Sequence, residues 1–97
     1  MVVVWTKPAK DDLKRIYQFI GVDSLFFARH VVESFIDLTS YLEQFPEQGR
    51  VVPELKNLVI RELFSYSYRI IYQIYPDKVA ILAVLHMRQK VRKSLKK

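Results

Sequence analysis

The sequence predicts an α+β domain: an N-terminal strand, an antiparallel helical hairpin, then a three-stranded antiparallel meander. Three observations lead there. Between residues 9 and 42 apolar side chains recur at steps of three and four, the spacing of one helix face. Beyond residue 50 that period gives way to segments rich in Val, Ile, Tyr and Phe, the composition of strands. Two turn sequences, Ser65-Tyr66-Ser67 and Pro76-Asp77-Lys78, divide those segments into three.

Val2 to Trp5, β-branched or aromatic, forms the first strand. Thr6 is suited to cap a helix, and Pro8 falls in its first turn, where a missing N–H costs nothing. Ala9, Leu13, Ile16, Tyr17 and Ile20 make that helix's apolar face, with Asp11, Asp12, Lys14, Arg15 and Gln18 opposite. Gly21-Val22-Asp23 breaks it and Ser24 caps the next, whose seam is Ala28, Val31, Phe35, Leu38 and Leu42. Phe45-Pro46 and Gly49 end the second helix. So short a link makes the two helices an antiparallel hairpin.

The strands are read as Leu58 to Phe64, Tyr68 to Tyr75 and Val79 to His86. In the middle one Tyr68, Ile70, Tyr72 and Ile74 share a face, and Arg69, Ile71, Gln73 and Tyr75 share the other. The hairpin covers the first face, burying Leu13, Ile16, Ile20, Val31, Phe35, Leu38 and Leu42 against Ile70, Tyr72 and Ile74. The second face is then expected to stay open to solvent, a binding surface bearing cations.

The 97 residues suffice for a single domain, 1–97, with one hydrophobic core and little left for a second. With 51% apolar residues and only 2 Gly, the chain is neither disordered nor of low complexity. No cysteine means no disulfide, no thiolate zinc site and no Cys nucleophile, and a cytoplasmic location is expected. The longest apolar run, Val79 to Leu85, is far too short to span a membrane, and residues 1–5, with no basic stretch and followed at once by Lys7 and Pro8, are not expected to act as a signal peptide. Phosphate-loop, dinucleotide, zinc-protease, nucleophile-elbow and EF-hand motifs are absent, and His30 and His86 are too few for a zinc site. Neither metal nor cofactor is expected.

The net charge of +6 is unevenly placed. Arg88, Lys90, Arg92, Lys93, Lys96 and Lys97 lie in the last ten residues without one acid, and the first 87 residues are neutral. A neutral body with a basic tail, 88–97, points to a polyanion or an acidic protein as partner. Nothing in the tail's sequence suggests that it packs on the body. Three residues stand out as chemistry. Arg69 lies mid-strand, where an arginine needs a partner or an anion. His86 ends the last strand and Glu54 lies in the Pro-containing link, a mobile place for a base. Together they are the types that cleave RNA without metal: a carboxylate to take the 2′-OH proton, an arginine for the phosphate, a histidine for the leaving oxygen. Any chain of this length carries such residues somewhere.

The order of residues adds a resemblance. Val4-Trp5-Thr6 with Ala9, Asp11, Asp12, Leu13 and Ile16 resembles the opening of the RelE/ParE toxin superfamily. So do Phe45 to Leu55, Ile60-Arg61-Glu62-Leu63, Tyr68 to Tyr72 and Val84 to Arg88, in the same order over residues 2–90. The resemblance implies a RelE/ParE-like fold and the toxin half of a type II toxin–antitoxin (plasmid stabilization) pair. Its partner is a cognate antitoxin, forming a toxin–antitoxin hetero-oligomer. It implies growth arrest, ParE-like through inhibition of DNA gyrase, or alternatively a RelE-like ribosome-dependent mRNA interferase. In that second case Glu54, Arg69 and His86 resemble the catalytic residues. Arg61, Arg69, Arg88, Lys90, Arg92 and Lys93 are the target- or nucleic-acid-binding candidates. A tyrosine common near the end of the nuclease branch is missing, since none follows Tyr75, and the Gly49 to Glu54 block leans toward ParE. A third expectation is a non-catalytic basic nucleic-acid-binding module.

Overall fold

The structure, a computed structural model, describes residues 1–91. Strand β1 (Val2–Trp5) leads into α1 (Lys7–Gly21) and α2 (Leu25–Ser40), followed by a 3₁₀ turn at Tyr41–Glu43. A two-residue β2 (Arg50–Val51) precedes β3 (Ile60–Ser65), β4 (Tyr68–Ile74) and β5 (Lys78–His86). The strands form one mixed sheet in the order β1-β5-β4-β3-β2. The meander is antiparallel as expected, and β1 adds to β5 in parallel. Strand ends move by one or two residues from the sequence reading, and the second helix stops two residues short of Leu42, which sits in the 3₁₀ turn instead.

Local chemistry starts both helices. The Thr6 hydroxyl accepts from the Ala9 amide (3.4 Å) and donates to the Ile81 carbonyl (2.7 Å), so one side chain caps α1 and fastens it to β5. Ser24 accepts from the Phe27 amide (3.0 Å) and caps α2. Asp12, placed by periodicity on the solvent side of α1, instead accepts the Val84 amide (2.9 Å). Beyond the end of β1 that N–H has no strand to pair with, and the carboxylate takes the strand's place.

The hairpin packs on one face of the sheet. Ile16, Val31, Phe35 and Leu42 meet Ile70, Tyr72, Ile81 and Val84 there, with Leu13, Ile20, Leu38 and Ile74 partly buried around them. Tyr72, wholly buried, donates through its hydroxyl to the Pro46 carbonyl (2.7 Å) and accepts from the Gly49 amide (2.9 Å). Burial pushes its phenol above the ordinary range. Gly49 has no room for a side chain: a Cβ there would lie 2.5 Å from the Glu62 carbonyl oxygen and 2.7 Å from the Tyr72 hydroxyl. Hence the loop after α2 must carry glycine at the point where it crosses β3.

The opposite face is not open. Val52, Leu55, Ile60, Ile71, Ala83 and Val91 form a second, smaller apolar cluster on it, closed by the 52–55 loop and by the chain after β5. The cation-bearing sheet face expected at the surface is covered, because Ile71 and Ala83 are apolar residues that need a lid. The tail does not leave the body at residue 88, because Val91 is a buried member of that lid. Among the described residues no helix is long and apolar enough to cross a membrane.

Candidate functional site

Strand parity decides which side chains meet. In the β3–β4 and β4–β5 ladders Glu62 stands opposite Ile71, Phe64 opposite Arg69, and Arg69 opposite Leu85. These share the far face, away from the helices. Arg50, opposite Glu62 across β2–β3, joins them. The 52–55 loop then drops Glu54 onto the same face.

The result is an ion-pair chain built around Arg69, which is 5% exposed. Its Nε donates to Glu62 Oε1 (2.6 Å), and its two terminal nitrogens donate to the two oxygens of Glu54 (2.8 and 2.9 Å). One of those nitrogens also donates to the Gln89 carbonyl (2.8 Å). Glu62, wholly buried, accepts a second bond from Arg50 Nε (2.7 Å), and the Arg50 guanidinium lies 5.0 Å from the Phe64 ring centroid. Glu54 Oε2 accepts from the Val91 amide as well (3.0 Å). Two carboxylates and two guanidiniums balance, and each buried oxygen has a partner.

Electrostatics follow from this geometry. The Arg69 fork, opposed by burial and aided by the Val91 amide, holds the Glu54 carboxyl down to about 2. The two carboxylates raise Arg69 further above its already high value. Glu54 is thus a fixed, ionised ligand of Arg69 and not the mobile base expected from its loop. Its folded value lies below the ordinary carboxyl value of about 4.5, so its stabilisation is complete above about pH 4.5 and is lost as pH falls toward about 2. Acid unfolding followed by circular dichroism is expected to flatten over that window in Glu54→Gln. An unchanged acid profile in the variant would show that the Arg69 pairing does not hold in solution.

Of the residues singled out in the sequence, the structure brings Glu54 and Arg69 together and leaves His86 apart. His86 pairs with Tyr68, so it lies on the helix side of the sheet while Arg69 lies on the far side. Its ring stands edge-on to Tyr68 (centroids 5.9 Å apart) and its Nδ1 accepts from the Arg88 amide (3.3 Å). An open cleft of about 460 Å³ adjoins it, lined among others by Asp12, Arg15, Phe19 and Gln89. Arg61 lies on the helix-side face opposite Tyr72, not beside Arg69. Its guanidinium donates to the carbonyls of Leu58 and Gly49 (both 3.0 Å) and clamps two loops. Arg88 and Lys90 are exposed, whereas Arg92 and Lys93 lie outside the described residues.

Sequence reasoning missed Glu62, Arg50 and Gln89. The signal for Glu62 was present: a carboxylate whose same-face neighbours two positions away are Ile60 and Phe64, next to a strand with a lone arginine, asks for pairing across the ladder. Nothing local marked Gln89, which reaches Arg69 through its backbone carbonyl alone.

Comparison with known proteins places this architecture. The model of the ParE toxin family, described as the ParE toxin of the type II toxin–antitoxin system parDE, matches residues 3–91. Among solved structures, the chromosomal ParDE toxin–antitoxin system from P. aeruginosa superposes with a TM-score of 0.74 at 21% identity, covering 91% of this chain and 97% of that one. The RelBE2 toxin–antitoxin complex from Mycobacterium tuberculosis superposes with a TM-score of 0.58 at 24% identity, covering 88% and 95%. No curated protein sequence is significantly similar.

Proposed function

We propose, since this chain belongs to the ParE toxin family of type II toxin–antitoxin systems, that it arrests growth by binding DNA gyrase and not by cutting RNA. The observation that carries this reading is the engagement of Arg69. All three of its guanidinium nitrogens are used within the chain, and His86 lies on the other face of the sheet. A nuclease needs an arginine free to stabilise the phosphorane and an acid–base pair that converges on one phosphate. A toxin that works by docking needs only an exposed surface, and we assign that role to the exposed Arg88 and Lys90, with Arg92 and Lys93 following them in the sequence. Its physiological partner on this reading is a cognate antitoxin, an acidic segment that neutralises the same cations. The solved relatives are likewise toxin–antitoxin systems.

The test is supercoiling by purified gyrase with and without the protein, beside toe-printing of mRNA on translating ribosomes. Inhibited supercoiling with intact mRNA is the expected result. A double Arg88→Ala, Lys90→Ala variant is expected to inhibit less and to show a weaker dependence on salt, as loss of exposed steering charges does. Cut mRNA with unaffected gyrase would replace this reading by the ribosome-dependent nuclease, with Glu54, Arg69 and His86 again as its catalytic candidates.

A further inference from the structure

The two edges of the sheet are treated differently. The β2 edge is two residues long and carries Arg50, a charge that discourages further pairing. The β1 edge is four residues, Val-Val-Val-Trp, without a charge or a proline. The Thr6 amide donates to the Ile81 carbonyl (3.1 Å), which sets the phase of the parallel ladder with β5. Val2, Val4 and Thr6 turn their backbone groups to β5, so Val3 and Trp5 turn theirs outward. Among the described residues no hydrogen bond reaches those outward groups. The side chains of Val3 and Trp5 pack on the core, while Val2 and Val4, on the other face, are 63% and 41% exposed.

We infer that β1 is a self-association edge whose occupant is β1 of a second copy of this chain, antiparallel across a two-fold axis at Val4. One register uses every outward group. Val3 of each copy faces Trp5 of the other and exchanges both amide hydrogens, four bonds in all, and the two Val4 side chains meet on the axis as a non-hydrogen-bonded pair. The strand is self-complementary because its two outward-turned residues are symmetric about Val4. The register sets Lys7 of one copy opposite the Met1 ammonium of the other, a pair of cations at each end that weakens the contact; Lys7 is already paired with Asp11 (3.1 Å), and the Met1 ammonium donates to the Glu43 carbonyl (3.0 Å). No like charges meet within the paired strands. A contact confined to four residues of each copy lies well below the roughly 800 Å² per partner of a standard interface, so the dimer is weak and reversible. The two sheets become one of ten strands with both helical hairpins on the same side.

Sedimentation equilibrium of the purified chain tests this, over roughly a hundredfold range of concentration reaching about 1 mM. The average mass is expected to rise from that of one chain, 11.6 kDa, toward twice that value. Val4→Lys and Val4→Glu, both at an exposed position, are each expected to remain single chains with the parental thermal midpoint. An equimolar mixture of the two is expected to associate again, because opposite charges then meet on the axis. A wild-type chain that stays monomeric at the highest concentration overturns the inference, as it would if the edge serves an antitoxin strand alone. Association of Val4→Lys equal to that of wild type overturns it too, and would move the contact to another surface, such as the apolar turn between α1 and α2.

Discussion

Replacing Arg69 with leucine is expected to lower the stability of the fold by about 3–5 kcal/mol, the cost of stranding buried carboxylates. Glu62 is wholly buried and would keep only Arg50, an exposed partner, while Glu54 would lose both of its charged hydrogen bonds. The tether to the Gln89 carbonyl goes as well, so the chain after β5 loosens from the far face. Chemical denaturation measures the loss directly. Arg69→Lys is expected to recover little of it, because one ammonium cannot serve two carboxylates in the geometry of a planar fork. Recovery is expected from removing the acids along with the arginine, since an apolar replacement of the whole cluster leaves no charge unpaired. A denaturation midpoint unaffected by Arg69→Leu would refute the structural role of the cluster. The experiment bears on toxicity assays too. An Arg69 variant that loses activity in cells loses folded protein first, and must be compared at equal folded fraction before the arginine is assigned to chemistry.

Phe35→Ala is expected to cost about 3–5 kcal/mol, the range for removing a wholly buried aromatic ring and leaving its cavity. Phe35 has no exposed surface and meets Tyr68 edge-on, with ring centroids 5.6 Å apart. It is the point at which α2 engages β4. A small domain holds only about 5–15 kcal/mol in total, so this variant is expected to be partly unfolded at physiological temperature. An unchanged midpoint in urea would show that the hairpin does not pack on the sheet through this seam.

Periodicity made the hairpin and meander legible because both obey local rules. Apolar steps of three and four mark α1 and α2, and Thr6 and Ser24 cap them through contacts within three residues. Alternation in Tyr68 to Ile74 correctly sorted the helix-facing side from the far side. The short β2 carried no such signal, since two residues show no period and its pairing depends on Gly49 bringing the loop against β3.

The sequence by itself determined the α+β class, the helix-facing core and the toxin superfamily, all of which rest on residue order and spacing. It also isolated Arg69 as a residue needing an anion. Only the tertiary structure decided which anion, because that turns on strand parity and on where a loop lands. Glu62 reaches Arg69 across the ladder, Glu54 reaches it from a loop fifteen positions away, and His86 falls on the opposite face by one residue of register. The same holds for the far face: its apolar residues could be read in sequence, but their cover came from segments distant in the chain, 52–55 and Val91. Long-range pairing is set by the free energy of the whole fold, and a local pattern holds no record of it.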